Sequence, residues 1–293
     1  MRSALITGAS TGIGRATATH LDAQGWRVFA GVRREEDADS LRADASARLV
    51  PLMLDVTDPA QIAAAAERVG GEVGEAGLAG LVNNAGIAVP GPLEALPIDD
   101  FRRQVEVNLT AHVAVTQAML PAIRRAPGRV VFVTSIGGLI AFPMFGAYHA
   151  AKFGLEAVGD VFRRELRPWG ISVSLIEPGS IATPIWERGM EEADAFVAAA
   201  GDEPRKLYGK PIAAYRKVAE RTAARGNPAR EGRARDRART ERPPSPHPLP
   251  GRRRRQGPSA PSSRHPRAHP RSRHRPHDRD VVDAWHFHPP PAW

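Results

Sequence analysis

Two side chains of this sequence are spaced for proton exchange with an alcohol or carbonyl oxygen. Tyr148 and Lys152 stand four residues apart in Tyr-His-Ala-Ala-Lys, so on a helix they share one face. An ammonium beside a phenol favours the phenolate, which would bring Tyr148 down from its reference of about 10 toward working pH. Tyr148 would then act as general acid or base, giving a proton to a ketone or taking one from an alcohol. Tyr-x-x-x-Lys alone is also an ordinary solvated helix face, so the pair needs context.

That context starts at the N-terminus with Thr7-Gly8-Ala9-Ser10-Thr11-Gly12-Ile13-Gly14, spaced G-x-x-x-G-x-G. Glycines permit a tight turn and close backbone approach, and a helix N-terminus behind them offers free N–H groups to a pyrophosphate. A glycine-rich turn alone is as often structural as ligand-binding; its place between a strand and a helix is what favours the second reading.

The elements that must position these groups alternate. Ser3–Thr7, Arg27–Val32, Leu49–Leu54, Leu78–Val82, Arg129–Thr134 and Ile171–Ile176 are apolar runs that read as buried strands. Helical stretches separate them: Ile13–Gln24, one opened by Asp58-Pro59, Asp99–Arg125 and Ala147–Arg167. This predicts an α/β fold with a doubly wound parallel sheet, covered on both faces. Residues 185–222 read as a helical lid over a cleft, broken by Pro204 and Pro211.

Over residues 2–190 the sequence resembles the short-chain dehydrogenase/reductase family in its ordinary single-domain branch. The resemblance rests on motifs in order: the glycine turn, Asp55-Val56, Asn83-Asn84-Ala85-Gly86, Asn108, Ser135, Tyr148-x-x-x-Lys152 and Pro178-Gly179. It implies a Rossmann-type sheet of order 3-2-1-4-5-6 and hydride transfer between a nicotinamide dinucleotide and an alcohol or ketone. It assigns catalysis to Asn108, Ser135, Tyr148 and Lys152, with Asn108 helping to hold a relay water; the alternative for Asn108 is a satisfied core amide. Cofactor contacts are implied for Gly8, Ser10, Thr11, Gly12, Ile13, Gly14, Asp55, Val56, Asn83, Asn84, Ala85 and Gly86. Further contacts are implied for Tyr148, Lys152 (to the nicotinamide ribose), Pro178, Gly179, Ile181 and Thr183. One departure is Ala151, where the family often has serine before the lysine.

The end of the second strand reads Gly31-Val32-Arg33-Arg34, with no acid until Glu35. An acidic residue there would accept ribose hydroxyls, whereas a guanidinium suits a 2′-phosphate. Arg33 therefore points to NADP(H) over NAD(H), against the alternative of a solvated loop arginine. Ile140, Phe142 and Phe145, with Ile185, Trp186, Met190 and Phe196 on the lid, predict an apolar cleft for a hydrophobic alcohol or ketone, although the same residues would serve as plain lid packing.

The chain has 293 residues, a net charge of +9 and no cysteine, which excludes disulfides and thiolate metal sites. Its basic character is confined to one end. Residues 225–293 hold 17 arginines, no lysine and 6 acids, whereas residues 1–224 hold 24 basic and 26 acidic side chains. Leu249 is the one large aliphatic residue between 225 and 280, so this Pro/Arg/His-rich tail is expected to be disordered. A shifted reading frame in a GC-rich coding sequence, a natural extension and a nucleic-acid-binding arm are three readings of it, the first preferred because the family's seventh strand and last helix do not follow. Loss of that strand would expose the sixth and weaken the homo-oligomer expected of the family. It also leaves open an alternative function, a catalytically impaired NADP-binding protein. No run is long and apolar enough to span a membrane, and no signal-peptide pattern precedes the first strand, so a cytoplasmic protein acting on a small molecule is expected.

Overall fold

The computed structural model of this protein describes residues 1–199, 201–225 and 227–228. Six strands form one parallel sheet: β1 (Ser3–Ile6), β2 (Arg27–Val32), β3 (Leu49–Met53), β4 (Gly80–Asn83), β5 (Arg129–Val133) and β6 (Ser172–Ile176). Their order is β3-β2-β1-β4-β5-β6, as the family resemblance implies. Helices α1 (Gly12–Ala23), α2 (Glu35–Asp44), α3 (Pro59–Val73), α4 (Ile98–Val105), α5 (Ala111–Arg125) and α6 (Gly146–Glu165) connect the strands.

The register explains why the strands are apolar throughout. Val50, Phe29, Leu5, Leu81, Val130 and Val173 stand side by side in one row across the sheet and enter the core formed with α3, α5 and α6. Ala4, Ile6, Val28 and Ala30 point to the opposite face, against Ala18 of α1 and Leu41 of α2. With helices on both faces, alternate residues have no water to face. Asp58 caps α3 by accepting from Ala60 N and Gln61 N, with Pro59 at its first position, as its sequence predicts.

Two helical expectations need correction. The stretch read as one helix from Asp99 is interrupted by a π-helical segment, Glu106–Thr110, between α4 and α5. Beyond β7 (Ile181–Ala182), the lid consists of α7 (Ile185–Ala199) and α8 (Asp202–Arg225). Pro204 lies in the first turn of α8, where its missing N–H has no helical partner to lose. Pro211 sits inside α8 without ending it.

Among the described residues β6 is an edge strand of the sheet, and no seventh strand extends it. Helix α8 ends at Arg225, where the tail is expected to begin, and beyond it β8 (Asn227–Pro228) pairs with β7. The rest of the tail lies outside the described residues. No described helix is long and apolar enough to cross a membrane.

Candidate active site

A single cleft of about 1770 Å³ runs along the C-terminal ends of the strands, where the strand order reverses between β1 and β4. Ligands of open α/β sheets bind at such switch points. Its walls bring together the glycine turn after β1, Arg33 after β2, Asp55 and Val56 after β3, Asn84 to Gly86 after β4, and Ser135, Tyr148 and Lys152. Pro178, Gly179, Ile181 and Thr183 close it from the β6 side.

The turn after β1 needs its glycines. Gly8 has φ +62°, and a Cβ there would stand 2.8 Å from the Ala85 Cα. Gly12, at φ +57°, opens α1 with Thr183 only 3.0 Å from where its Cβ would be. Thr11 makes no side-chain cap and α1 has no acid in its first turn, so the helix presents uncapped N–H groups beside Ser10 and Ile13 in the cleft wall. Such a terminus fits a pyrophosphate. Thr7 ties this turn to β4: its hydroxyl accepts from Asn84 N (2.9 Å) and Ala85 N (3.0 Å). The Asn84 amide returns bonds to the Thr7 and Gly8 carbonyls, both at 3.0 Å.

Two expected cofactor contacts are not in the wall. Gly14 packs inward, its missing Cβ leaving space for the Gly8 carbonyl, which would otherwise be 2.2 Å away. Asn83 is fully buried and donates from Nδ2 to Thr116 on α5 at 2.9 Å. Asp55 lines the cleft and folds its own loop, accepting from Thr57 N and Thr57 Oγ1 at 2.9 and 2.7 Å.

At the reacting end, Ser135 follows β5 and its Oγ accepts from Gly137 N at 3.0 Å, which leaves the hydroxyl proton to give. Lys152 is buried, and its Nζ donates to the Val133 carbonyl at 2.8 Å. Burial pushes this ammonium down to about 8, with Glu156 pulling it the other way. The expected lowering of Tyr148 is not met: burial raises the phenol, and Ser135 is the group that pulls it down. The Lys152 Nζ lies 5.9 Å from the Tyr148 ring centroid, and the desolvation that weakens this ammonium acts on the phenol too.

Asn108 is fully buried in the π segment. Its Oδ1 accepts from Ile87 N and its Nδ2 donates to Ile87 O, both at 2.9 Å, so the satisfied-amide alternative describes these bonds. One turn earlier Gln104 grips the same loop, accepting from Val89 N at 2.7 Å and donating to Ile87 O at 3.0 Å. Sequence reasoning passed over Gln104, although its spacing of four from Asn108 was a usable signal.

Behind Lys152, His112 is buried and its Nε2 donates to Ala85 O at 2.7 Å. Burial, reinforced by the Lys152 charge, lowers it to about 3, so it is neutral. Of the apolar side chains expected in the cleft, Phe142, Phe145, Ile185 and Trp186 line it. Met190 and Phe196 pack instead against Met144, Ala193, Ile212 and Tyr215 inside the lid. Ile140 is not in the wall.

The glycine turn stands at the sheet's switch point, and serine, tyrosine and lysine gather where β5 ends. The chain belongs to the short chain dehydrogenase family, whose profile matches residues 2–194. It is 46% identical over 181 residues to mouse (Mus musculus) retinol dehydrogenase 5, covering 61% of this chain and 57% of that protein. It is 39% identical over 201 residues to an NADPH-dependent 3-dehydrocapnine reductase of Ornithobacterium rhinotracheale, covering 67% of this chain and 71% of the relative. Among solved structures, 3-ketoacyl-(acyl-carrier-protein) reductase of Brucella melitensis, complexed with NADH, matches with TM-score 0.61 and 26% identity, covering 66% of this chain and 82% of that one.

Proposed function

We propose that this chain transfers hydride between NADP(H) and a hydrophobic alcohol or ketone, with Tyr148 as the group that exchanges the proton. One observation carries the reading: Ser135, Tyr148 and Lys152 line the same cleft as the uncapped N-terminus of α1 and its glycine turn. When bound, the nicotinamide supplies the hydride. Gly12, Ile13 and the α1 amides would hold its pyrophosphate, and the two Lys152 protons not given to Val133 would hold its ribose.

The chain's own residues then handle the oxygen. Ser135 donates its hydroxyl proton to the substrate oxygen, because Gly137 N–H already occupies one of its lone pairs. Burial keeps the Tyr148 phenol protonated at neutral pH, so it is ready to give a proton to a ketone oxygen. Asn108 and Gln104 hold the Ile87–Val89 backbone, of which Ile87 and Ala88 line the same cleft.

For the cofactor, Arg34 is committed to Asp37 by two 3.0 Å bonds. Arg33 is exposed in the cleft wall and forms no ion pair among the described residues, which supports a role at a 2′-phosphate. One relative is named NADPH-dependent and one solved structure is a complex with NADH, so the preference rests on Arg33. Phe142, Phe145, Ile185 and Trp186 make the substrate end apolar, and the mouse relative is named for retinol.

The test is NADPH oxidation against a panel of aliphatic, aromatic and steroidal ketones, with Tyr148→Phe as control. Turnover that survives unchanged in the Phe variant removes the proposed proton path. A second reading, a cofactor-binding protein without turnover, is favoured by β6 standing at the edge of the described sheet. NADPH binding with no turnover on the whole panel selects it.

A further inference from the structure

We propose that His149 is a positioning residue for substrate, clamping the segment between Gly137 and Phe145 into the wall beside Tyr148 as a neutral imidazole protonated on Nδ1. The ring is buried, 6% exposed, and lines the cleft. Its Nδ1 lies 2.8 Å from the Gly137 carbonyl, which can only accept, so Nδ1 carries a proton. The Phe142 N–H donates to Nε2 at 2.9 Å, so Nε2 carries none. One tautomer alone satisfies both bonds.

The clamp acts where it matters for substrate. Phe142 and Phe145 pack on the His149 ring, with centroids 5.7 and 6.1 Å away. Phe145 in turn stands edge-on to Tyr148 at 5.9 Å and to Tyr215 of the lid at 5.1 Å. It is the aromatic link between the proton-exchanging ring and the lid. The segment is also strained: Met144 has φ 74°, the one positive φ outside glycine among the described residues. Such a conformation persists only where neighbours over-determine it. Gly91 N–H holds Met144 O at 2.8 Å on one side, and His149 holds Gly137 and Phe142 on the other.

His149→Gln and His149→Phe, compared in the full chain, test this. Glutamine keeps one donor and one acceptor; phenylalanine keeps ring volume and neither bond. With an aryl ketone as probe, His149→Phe is expected to raise KM about tenfold, the loss of two ordinary hydrogen bonds, with kcat and NADPH affinity within about threefold of wild type. His149→Gln should restore KM to within about threefold. Equal losses in both variants, or a wild-type KM in His149→Phe, overturn the proposal. The kinetic arm rests on the reductase reading above, so a second arm does not: long-range proton–nitrogen spectra of the wild-type histidine rings should show His149 as the neutral Nδ1–H tautomer. An Nε2–H tautomer or an imidazolium at neutral pH overturns the clamp, with or without turnover and whether or not His149→Phe folds. No ketone turnover by wild type, with the expected tautomer present, sinks the reductase reading and leaves the clamp standing.

Discussion

Lys152 gives a 2.8 Å hydrogen bond from its ammonium to the Val133 carbonyl at the end of β5, inside a site that lowers it to about 8 from a reference of 10.5. Because the folded value lies below the unfolded one, folding expels a proton between about pH 8 and 10.5, and stability should rise with pH across that window. Below about 8 the full cost of the buried charge is present, on the order of 3 kcal/mol for a shift of this size. Lys152→Met should therefore raise the thermal midpoint at pH 7 by a few degrees while abolishing turnover. The bond lost at the Val133 carbonyl takes back about 1 kcal/mol of the gain. Calorimetry of both proteins at pH 7 and pH 10 checks this: a Met variant less stable than wild type at pH 7 contradicts it.

The Tyr148 phenol is raised by burial and drawn down only by Ser135, which sets the sign of the rate profiles. A phenol that stays protonated favours donation, so ketone reduction should hold steady through neutral pH and fall toward the alkaline side. Alcohol oxidation needs the phenolate and should climb over the same range. Initial rates in both directions from pH 6 to 10 test the pair; reduction that climbs with pH removes Tyr148 from the donor role.

Arg33 and Arg34 make a contrast that one substitution each can read. Arg34 is bound to Asp37, whereas Arg33 forms no ion pair among the described residues. Arg33→Ala is expected to weaken NADPH binding about tenfold or more and NADH binding less than threefold, a bidentate phosphate contact being worth roughly 1.5–3 kcal/mol. Fluorescence titration with each dinucleotide measures it. Equal losses for both cofactors exclude a phosphate contact.

Much of this arrangement was legible because apolar strands and glycine turns obey short-range rules. Arg27–Val32 was read with the bounds that β2 has, since Val28 to Val32 are all uncharged and buried between the two helical layers. What escaped depended on direction or on burial. Asn83 was grouped with the cofactor contacts, yet side chains alternate along a strand. Two residues beyond Leu81 of the core row, Asn83 faces α5 and Thr116 rather than the cleft. The π segment Glu106–Thr110 contains no proline or glycine to break the helical pattern of 99–125, so the helix read as continuous. The Tyr148 expectation weighed the charge of Lys152 and omitted the desolvation that both groups share. His149 was overlooked because its partners, Gly137 O and Phe142 N, belong to a loop whose path no periodicity reports.

Gln104 and Asn108 form a two-amide clip whose energetics should be non-additive in a defined direction. Both donate to the Ile87 carbonyl, at 3.0 and 2.9 Å. Gln104 alone accepts from Val89 N, and Asn108 alone from Ile87 N. Gln104→Leu leaves the Val89 N–H without its partner, a cost of about 1–3 kcal/mol, but the Ile87 carbonyl keeps its bond from Asn108. Asn108→Leu does the converse. Removing both amides leaves that carbonyl with neither, so the double variant should lose about 1 kcal/mol more than the two single losses combined. Urea unfolding of the four proteins in the cycle measures the coupling. A double variant that loses no more than the singles together contradicts the shared carbonyl and would mean that each amide holds the loop independently.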